Sequence, residues 1–450
     1  MSVSMMQSEP ERAFGFPPYP TTLEETGIDK GLVTRLIAKT MLTFDTVTPT
    51  QLAAELKLAK PIINPLLDEM RNLTLIEARG LAGRGDMTSD LRYALTSAGI
   101  NYASEALELS QYVGPAPVTL AAFSRQMAAQ TITKERIDRT KLSKSLSHLV
   151  LPEYLTDVLG PAVNSGRSIL FYGEPGNGKT SIAEGLGTAF TDTVYFPYCI
   201  EVAGQIINFF DDAVHKKVEQ PKIDTHTILS AANRHEYMDP RWIACRRPVV
   251  VTGGELTLDQ LDLSFNALNK YYEAPLHFKA VGGVFIVDDF GRQRSEPQTI
   301  LNRWIVPLER GFDFLTLNTG RKFTIPFDEL VIFSTNIYPY DLADEASLRR
   351  LYYKIHVPNP TREDYIKIFY AVAKQHNLIV PSDVMLKFFN EYYVERKMRV
   401  SAHHPNYIVK NIIAACEYHG RRPSIDMELL DYAWHNLHVD EKDAGIRLKH

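Results

Sequence analysis

The chain has 450 residues, of which 45% are hydrophobic and 23% charged, and its formal net charge is -5. This length predicts two or three domains, and the mildly acidic balance gives no global reason to expect nucleic-acid binding. No apolar run approaches the roughly 20 residues of a membrane-spanning helix, and the N-terminus lacks the pattern of a secretion signal. The three cysteines (Cys199, Cys245 and Cys416) are far apart, so we expect reduced, buried thiols and a cytoplasmic protein.

The first 112 residues predict a tail and a small domain. Residues 1–20 contain four prolines and are expected to be flexible. Residues 21–112 predict three short helices followed by two strands around a Gly-rich tip, which is the outline of a winged-helix domain. In "TPTQLAAELKL", Thr48 is a candidate N-cap and Pro49 stands at the first helical position. Residues 113–149 are expected to form a helical linker.

From residue 150 to 360 apolar strands alternate with helices. The strands are predicted at "SILFYG", "TVYFPYCI", "RPVVVTGG", "GGVFIVDD" and "ELVIFSTN". Nearly continuous apolar strands separated by helices indicate a parallel sheet covered on both faces, an α/β fold. Residues 361–450 predict a small helical domain. His403 and His404 are adjacent, without the spacing of metal ligands, and we expect them at the surface or in a turn.

The stretch "GEPGNGKT" matches the pattern GxxxxGK[ST] directly after a predicted strand and directly before a predicted helix. Glycines at these positions let backbone N–H groups turn toward phosphates, a lysine neutralises the β- and γ-phosphate oxygens, and a hydroxyl reaches Mg²⁺. The sequence therefore predicts an ATP and Mg²⁺ site. Its expected nucleotide-binding residues are Gly173, Glu174, Pro175, Gly176, Asn177, Gly178, Lys179, Thr180 and Ser181.

A second strand that ends in a carboxylate is needed for the Mg²⁺ site, and "VFIVDD" supplies one in Asp288. The order of the parts then resembles the AAA+ ATPases over residues 150–440: phosphate loop, Walker B strand, Asn336 after a further strand, the pair Arg349-Arg350, and a helical lid. "HFKAVGGVFIVDDFGRQ" and the predicted hairpin in "FLTLNTGRKFTIPFDELVIFSTN" resemble MoxR-type chaperones and bacterial enhancer-binding activators.

The resemblance implies a role for each matching residue. Thr180 and Asp288 hold Mg²⁺, Asp289 activates the attacking water, and Asn336 orients that water or the γ-phosphate. Either Arg349 or Arg350 reaches the site of a neighbouring subunit, so the resemblance also implies a homo-oligomer, a hexameric ring or spiral. Each of these roles has an alternative without catalysis. Asp289 could be a strand-end cap, and the two arginines could be a pair on the surface of a helix.

Two positions depart from the family pattern. Asp289 replaces the Glu of many members, which shortens the side chain by one methylene and is compatible with slow or partner-stimulated hydrolysis. In "HHPNYIVKN", Asn406 follows the proline where many relatives have the sensor-two Arg. Lys410, one helical turn further on, is a candidate substitute, and the alternative is a solvated lysine.

The regions outside the phosphate site decide the expected partner. Tyr271 and Tyr272 either line a central pore on a protruding loop, together with the "GGELT" region, or pack on a hairpin. Residues 21–110 contain nine Lys or Arg and twelve Asp or Glu, a balance of -3 that favours protein docking over DNA. Arg79, Arg84 and Arg92 around the predicted wing keep the DNA alternative open.

Three functions therefore follow from the sequence. The first is an ATP-driven AAA+ protein that remodels or moves a protein partner. The second is a DNA-acting AAA+ protein, such as a loader or a regulator of transposition or transcription. The third is a nucleotide-gated scaffold that barely hydrolyses ATP.

Overall fold

The computed structural model describes residues 15–82, 90–219 and 237–437. Most of the expected tail and the expected Gly-rich tip with Arg84 lie outside these residues. Among the helices of the described ranges, none has the length and apolar character needed to cross a membrane.

The first part of the chain forms helices around one antiparallel hairpin. Its elements are α1 (Leu23–Thr26), α2 (Lys30–Met41), α3 (Pro49–Leu56), α4 (Lys60–Asn72), β1 (Ile76–Leu81), β2 (Leu91–Leu95) and α5 (Ser97–Leu109). The Thr48 hydroxyl caps α3 by accepting from the Gln51 N–H, and Pro49 is the first helical residue, as predicted. Helix α5 was not predicted from the sequence, and it packs against α2. The winged-helix interpretation stays a prediction.

The middle of the chain alternates strands and helices. Its elements are β3 (Val118–Thr119), α6 (Leu120–Ala129), α7 (Arg139–Ser145), α8 (Glu153–Asn164), β4 (Ile169–Tyr172), α9 (Lys179–Thr188), β5 (Thr193–Pro197), β6 (Cys199–Val202), β7 (Gln205–Asn208), β8 (Trp242–Arg246), β9 (Val249–Thr252), β10 (Ser264–Asn266), β11 (Tyr271–Glu273), α10 (Leu276–Lys279), β12 (Val284–Val287), α11 (Pro297–Arg303), α12 (Ile305–Arg310), β13 (Phe312–Thr316), β14 (Lys322–Pro326), β15 (Leu330–Thr335), α13 (Pro339–Leu342), α14 (Glu345–Leu348) and β16 (Tyr353–His356).

The last part is helical. It contains α15 (Arg362–Gln375), α16 (Ser382–Phe389), a π-helical turn (Asn390–Glu395), α17 (His404–Tyr418) and α18 (Met427–Leu437). These helices enclose a core of their own, in which Tyr365, Phe369 and Ile412 are fully buried. We call this part the lid.

A five-stranded sheet positions the residues of the site. Its strand order is β16-β4-β15-β12-β9, and every neighbouring pair is parallel. The sequence therefore predicted a parallel sheet correctly. Strands β12 and β15 are entirely buried, as expected for strands covered on both faces.

The strand predicted at "TVYFPYCI" does not belong to this sheet. It divides into β5, which pairs with β8, and β6, which lies in a second sheet of order β10-β11-β7-β6-β3. The fifth parallel strand is β16 instead. An apolar run shows that a strand is buried but does not specify the sheet in which it is buried, so the prediction placed the wrong strand.

The second sheet also bears on two further expectations. Segment 113–149, expected to form a helical linker, contains α6 and α7 and packs into the fold, because β3 pairs with β6 and Phe123 of α6 is fully buried. Tyr271 and Tyr272 lie in β11, where Tyr272 is 1% exposed and Tyr271 packs edge-on against Tyr112. Of the two alternatives for these tyrosines, the structure shows packing and not a protruding pore loop.

Two smaller expectations agree with the structure. The three cysteines are buried and free. Residues 312–326 form the antiparallel hairpin expected before the strand that ends at Thr335.

Candidate functional site

The loop between β4 and α9 is shaped by its glycines and by what surrounds them. Gly173 has φ +139°, and a Cβ there would come within 2.4 Å of the Val357 carbonyl oxygen. Gly176 has φ +81°, and a Cβ there would come within 2.1 Å of the His403 Nδ1 atom. Both positions therefore require glycine, for backbone conformation and for space. Lys179 begins the helix, as the motif predicts.

Lys179 is buried and its ammonium group is held by three acceptors. It donates to the carbonyl oxygens of Gly173 at 2.9 Å and Glu174 at 2.8 Å, and to Asn336 Oδ1 at 2.7 Å. Burial lowers the pKa of Lys179, and the negative charges of Asp288 and Asp289 oppose this shift. The cation thus lies inside the loop, where the phosphate loop motif expects it.

Thr180 and Asp288 are in direct contact. The Thr180 hydroxyl donates to Asp288 Oδ1 at 2.8 Å, so a hydroxyl oxygen and a carboxylate oxygen lie side by side. Hard oxygen ligands of this kind suit Mg²⁺, which usually takes one or two protein oxygens together with phosphates and waters. The residues expected to hold the metal therefore fit that ion.

Asp289 has a backbone conformation that is uncommon for residues other than glycine. Its φ is +46°, and its Oδ1 accepts from the Asn336 Nδ2 atom at 3.1 Å. Asp adopts the left-handed region more readily than most residues, so the backbone offers a reason for Asp here. The Gln293 amide fixes the turn by donating to the Asp288 carbonyl at 3.0 Å and to the Asp289 carbonyl at 3.3 Å.

The strand order explains why these side chains meet. Strand β15 lies between β4 and β12, and the carboxyl ends of parallel strands share one edge of the sheet. Asn336, just after β15, therefore lies between Lys179, which follows β4, and Asp289, which follows β12. Its side chain bonds to both, accepting from Lys179 and donating to Asp289.

A cleft of about 1060 Å³ opens over this cluster. This volume slightly exceeds the roughly 300–1,000 Å³ of most small-molecule sites. One wall is residues 175–182 of the loop and helix, a second is segment 148–151, and the third comes from the lid helices α15 and α17. The apolar second wall was missed by sequence reasoning, because a short run such as Leu149-Val150-Leu151 carries no motif.

Three further polar residues line the cleft, two of which were considered in the sequence predictions. Asn406 and Lys410 both line the cleft from α17, so Lys410 is placed where a substitute cation is expected. Arg292 lines it beside Asp289 and was also missed. The arginine belongs to "DFGRQ", where only the nearness of the two carboxylates could have indicated it.

Arg349 and Arg350 have different surroundings. Arg350 is half-buried, and it donates to Glu309 Oε1 at 2.9 Å and to the Ala346 carbonyl at 2.5 Å. Arg349 is exposed, and its side chain makes no hydrogen bond or ion pair with the part of the chain that the structure describes. Neither arginine lines the cleft of its own chain.

The histidine pair was only half correctly predicted. His403 is exposed, but His404 is buried and its Nδ1 lies 2.9 Å from the Tyr393 hydroxyl. His404 is buried because it begins α17 and faces the lid core. Within the described ranges, no group of three or more His, Cys, Asp or Glu side chains forms a metal site.

Comparisons with known proteins do not assign a function to this chain. Residues 361–436, within the lid, match a domain of unknown function, DUF8689. No curated protein matches the chain. Among solved structures, a mutant of Thermotoga maritima RuvB aligns over 68% of this chain and 73% of its own, with 11% identity and a TM-score of 0.36. These matches do not show a family for the whole chain.

Proposed function

We propose that this chain is an AAA+ ATPase that binds ATP with Mg²⁺ in the cleft, hydrolyses it within an oligomer and uses the cycle to move a protein partner. The observation that carries the proposal is the convergence of Lys179, Thr180, Asp288, Asp289 and Asn336 at one edge of a parallel sheet. The contacts among them are 2.7–3.1 Å. The order of these parts along the chain resembles the AAA+ ATPases.

The phosphates and the adenine ring of ATP bind to different parts of the cleft in this proposal. Backbone N–H groups of residues 173–181 other than Pro175, together with the Lys179 ammonium group, bind the phosphates, helped by the N-terminus of α9. The adenine ring lies between the apolar segment 149–151 and the lid, where Ile368 and Val372 line the same cleft. Apolar walls on two sides suit a flat aromatic ring.

Mg²⁺, held by Thr180 and Asp288, supplies charge neutralisation of the phosphate oxygens when it is bound. Asp289 accepts the proton of the attacking water, and its left-handed backbone turns the carboxylate toward Asn336. Asn336 keeps that carboxylate and Lys179 at fixed separation, since it bonds to both. Preorganised polar groups of this kind act on the reaction without having to reorient.

Hydrolysis in this proposal is completed by a second subunit. Arg349 is exposed and unengaged in the described structure, whereas Arg350 is bound to Glu309. Arg349 is therefore the better candidate to enter the site of a neighbour, in a ring or spiral.

A protein partner is favoured over DNA by the ion pairs of the N-terminal part. Lys30 pairs with Glu69, Lys60 with Asp90 at 3.3 Å, and Arg79 with Glu77 at 2.5 Å. Basic side chains that already have acidic neighbours offer little net positive potential to phosphates. A DNA gel shift with salt titration tests this preference, because binding that weakens steeply with salt would favour the DNA-acting alternative.

Replacing Asp289 with asparagine separates ATP binding from hydrolysis. We expect ATP affinity within about twofold of the unmodified chain and turnover lower by about 10²-fold or more, since a general base typically contributes 10²–10⁴-fold. ATP binding and phosphate release, measured on the same preparations, check both values. Asp341→Asn, at an exposed aspartate outside the cleft, is the matched control.

Turnover of Asp289→Asn within about threefold of the unmodified chain would show that Asp289 is a strand-end cap. If the unmodified chain binds ATP but hydrolyses no faster than Lys179→Ala, the scaffold alternative takes the place of the ATPase.

A further inference from the structure

The lid is joined to the phosphate loop by an ion pair. Arg399, between the π-helical turn and α17, contacts Glu174 Oε2 through Nη2 at 2.5 Å. The same Nη2 donates to Asn359 Oδ1 at 3.3 Å. Glu174 belongs to the loop, and Asn359 lies in the connection between β16 and α15. One lid side chain therefore contacts both the loop and the connection that leads into the lid.

Asn177 is the second point of attachment. It is 6% exposed, and its Nδ2 donates to Asn359 Oδ1 at 2.6 Å. Its Oδ1 accepts from the Ala402 N–H and the Ser401 hydroxyl, both at 3.4 Å. The side chain at this loop position thus bonds both to the lid and to the connection between β16 and α15.

Pro175 and Gly176 also lie close to this lid segment. The Ser401 hydroxyl also lies 3.4 Å from the Pro175 carbonyl oxygen and 2.9 Å from His403 Nδ1. His403 packs so closely on Gly176 that a Cβ there would overlap its ring. Partial desolvation of the His403 ring, which packs against Gly176, lowers the pKa of His403 and favours the neutral ring at this helix N-terminus.

The lid segment is itself held by the lid core. His404, next to His403, bonds to the Tyr393 hydroxyl at 2.9 Å, and that hydroxyl donates to Tyr365 at 2.8 Å. These residues belong to α17, the π-helical turn and α15, and all three are buried. A displacement of the lid helices therefore moves segment 399–403 as well.

We infer that residues 399–403 form a latch that ties the lid to the phosphate loop, with Arg399 and Asn177 as positioning residues. In this account the lid responds to the nucleotide through the shape of residues 174–177. The latch must open before nucleotide can leave the cleft. These two consequences rest on the proposed function, whereas the contacts of the latch do not.

Hydrogen exchange of the nucleotide-free full chain tests the latch independently of that function. We compare Arg399→Gln, Glu174→Gln and the double variant. Each single change should speed amide exchange in both 174–178 and 400–405 about two- to fivefold, as the loss of a half-exposed ion pair predicts. The double variant should be no faster than either single one, because both changes remove the same contact.

Two variants complete the exchange experiment. Lys397→Gln removes an exposed positive charge two residues away and should change neither segment. Arg399→Lys should restore most of the protection. Unchanged exchange in both segments, or a change confined to the lid, would overturn the latch.

A second experiment measures the rate at which a fluorescent ADP analogue, bound with Mg²⁺, is released from the chain. Arg399→Gln and Glu174→Gln should release it faster by the same two- to fivefold factor. If Arg399 instead binds phosphate directly, Arg399→Gln will weaken binding much more than Glu174→Gln, which contradicts the latch. Failure of the unmodified chain to bind the analogue refutes the proposed function, while the exchange result still decides the latch.

Discussion

Replacing Lys179 with alanine should reduce ATP affinity by at least about 100-fold. The ammonium group is buried in the loop with three acceptors around it, and charge-assisted hydrogen bonds contribute about 1.5–3 kcal/mol each. Loss of two such bonds to phosphate already accounts for this factor, at about 1.4 kcal/mol per tenfold change. Equilibrium binding of ATP with Mg²⁺ measures it.

Lys322→Ala is the control for Lys179→Ala, because it removes an exposed lysine from the hairpin strand β14. It should leave ATP affinity unchanged. Thermal unfolding of both variants is needed, since Lys179 also bonds within the folded chain. A folded Lys179→Ala chain with the affinity of the unmodified one would mean that "GEPGNGKT" does not bind the phosphates.

Replacing Arg349 with alanine should lower ATP turnover by about 10³-fold or more and leave ATP binding intact. An arginine supplied by a neighbouring subunit contributes about 10³–10⁵-fold to phosphoryl transfer, and Arg349 is free to serve in this role. Arg350→Ala removes the same charge but breaks the contact with Glu309. It should change turnover much less and act through stability instead.

Subunit mixing distinguishes a trans-acting arginine from a local one. Lys179→Ala chains keep Arg349 but are expected to bind ATP at least about 100-fold more weakly, and Arg349→Ala chains are expected to bind ATP but lack the arginine. Mixing the two should restore part of the turnover, because some interfaces then combine an intact site with an intact arginine. Full activity of both Arg349→Ala and Arg350→Ala would refute a trans-acting arginine at this position.

The glycine-rich loop before α9 and the polar edge of the sheet were predictable because their signals are local. The motif fixes the loop and the first residues of α9, and the apolar runs before Asp288 and Asn336 place both at strand ends. Parallel strands then bring these ends to one edge. Which strands joined the sheet was less predictable, since β5 has the composition of a core strand but pairs with β8.

The contacts between lid and loop could not be predicted. Asn177 occupies a variable position of the motif, and its partners Asn359 and Ser401 are about 180 and 220 residues away along the chain. No spacing rule connects positions so far apart. The left-handed backbone of Asp289 also depends on tertiary contacts, those with Gln293 and Asn336. The sequence indicates it only indirectly, through Asp in place of Glu.

ATP turnover per chain, measured over a wide range of protein concentration with Lys179→Ala as the blank, tests the central claim most directly. A trans-acting ATPase predicts turnover per chain that rises with concentration as subunits assemble and then reaches a plateau. Turnover per chain that exceeds the blank but does not depend on concentration would contradict the assembled, trans-acting site. Tight ATP binding with turnover equal to the blank at every concentration would contradict the ATPase itself.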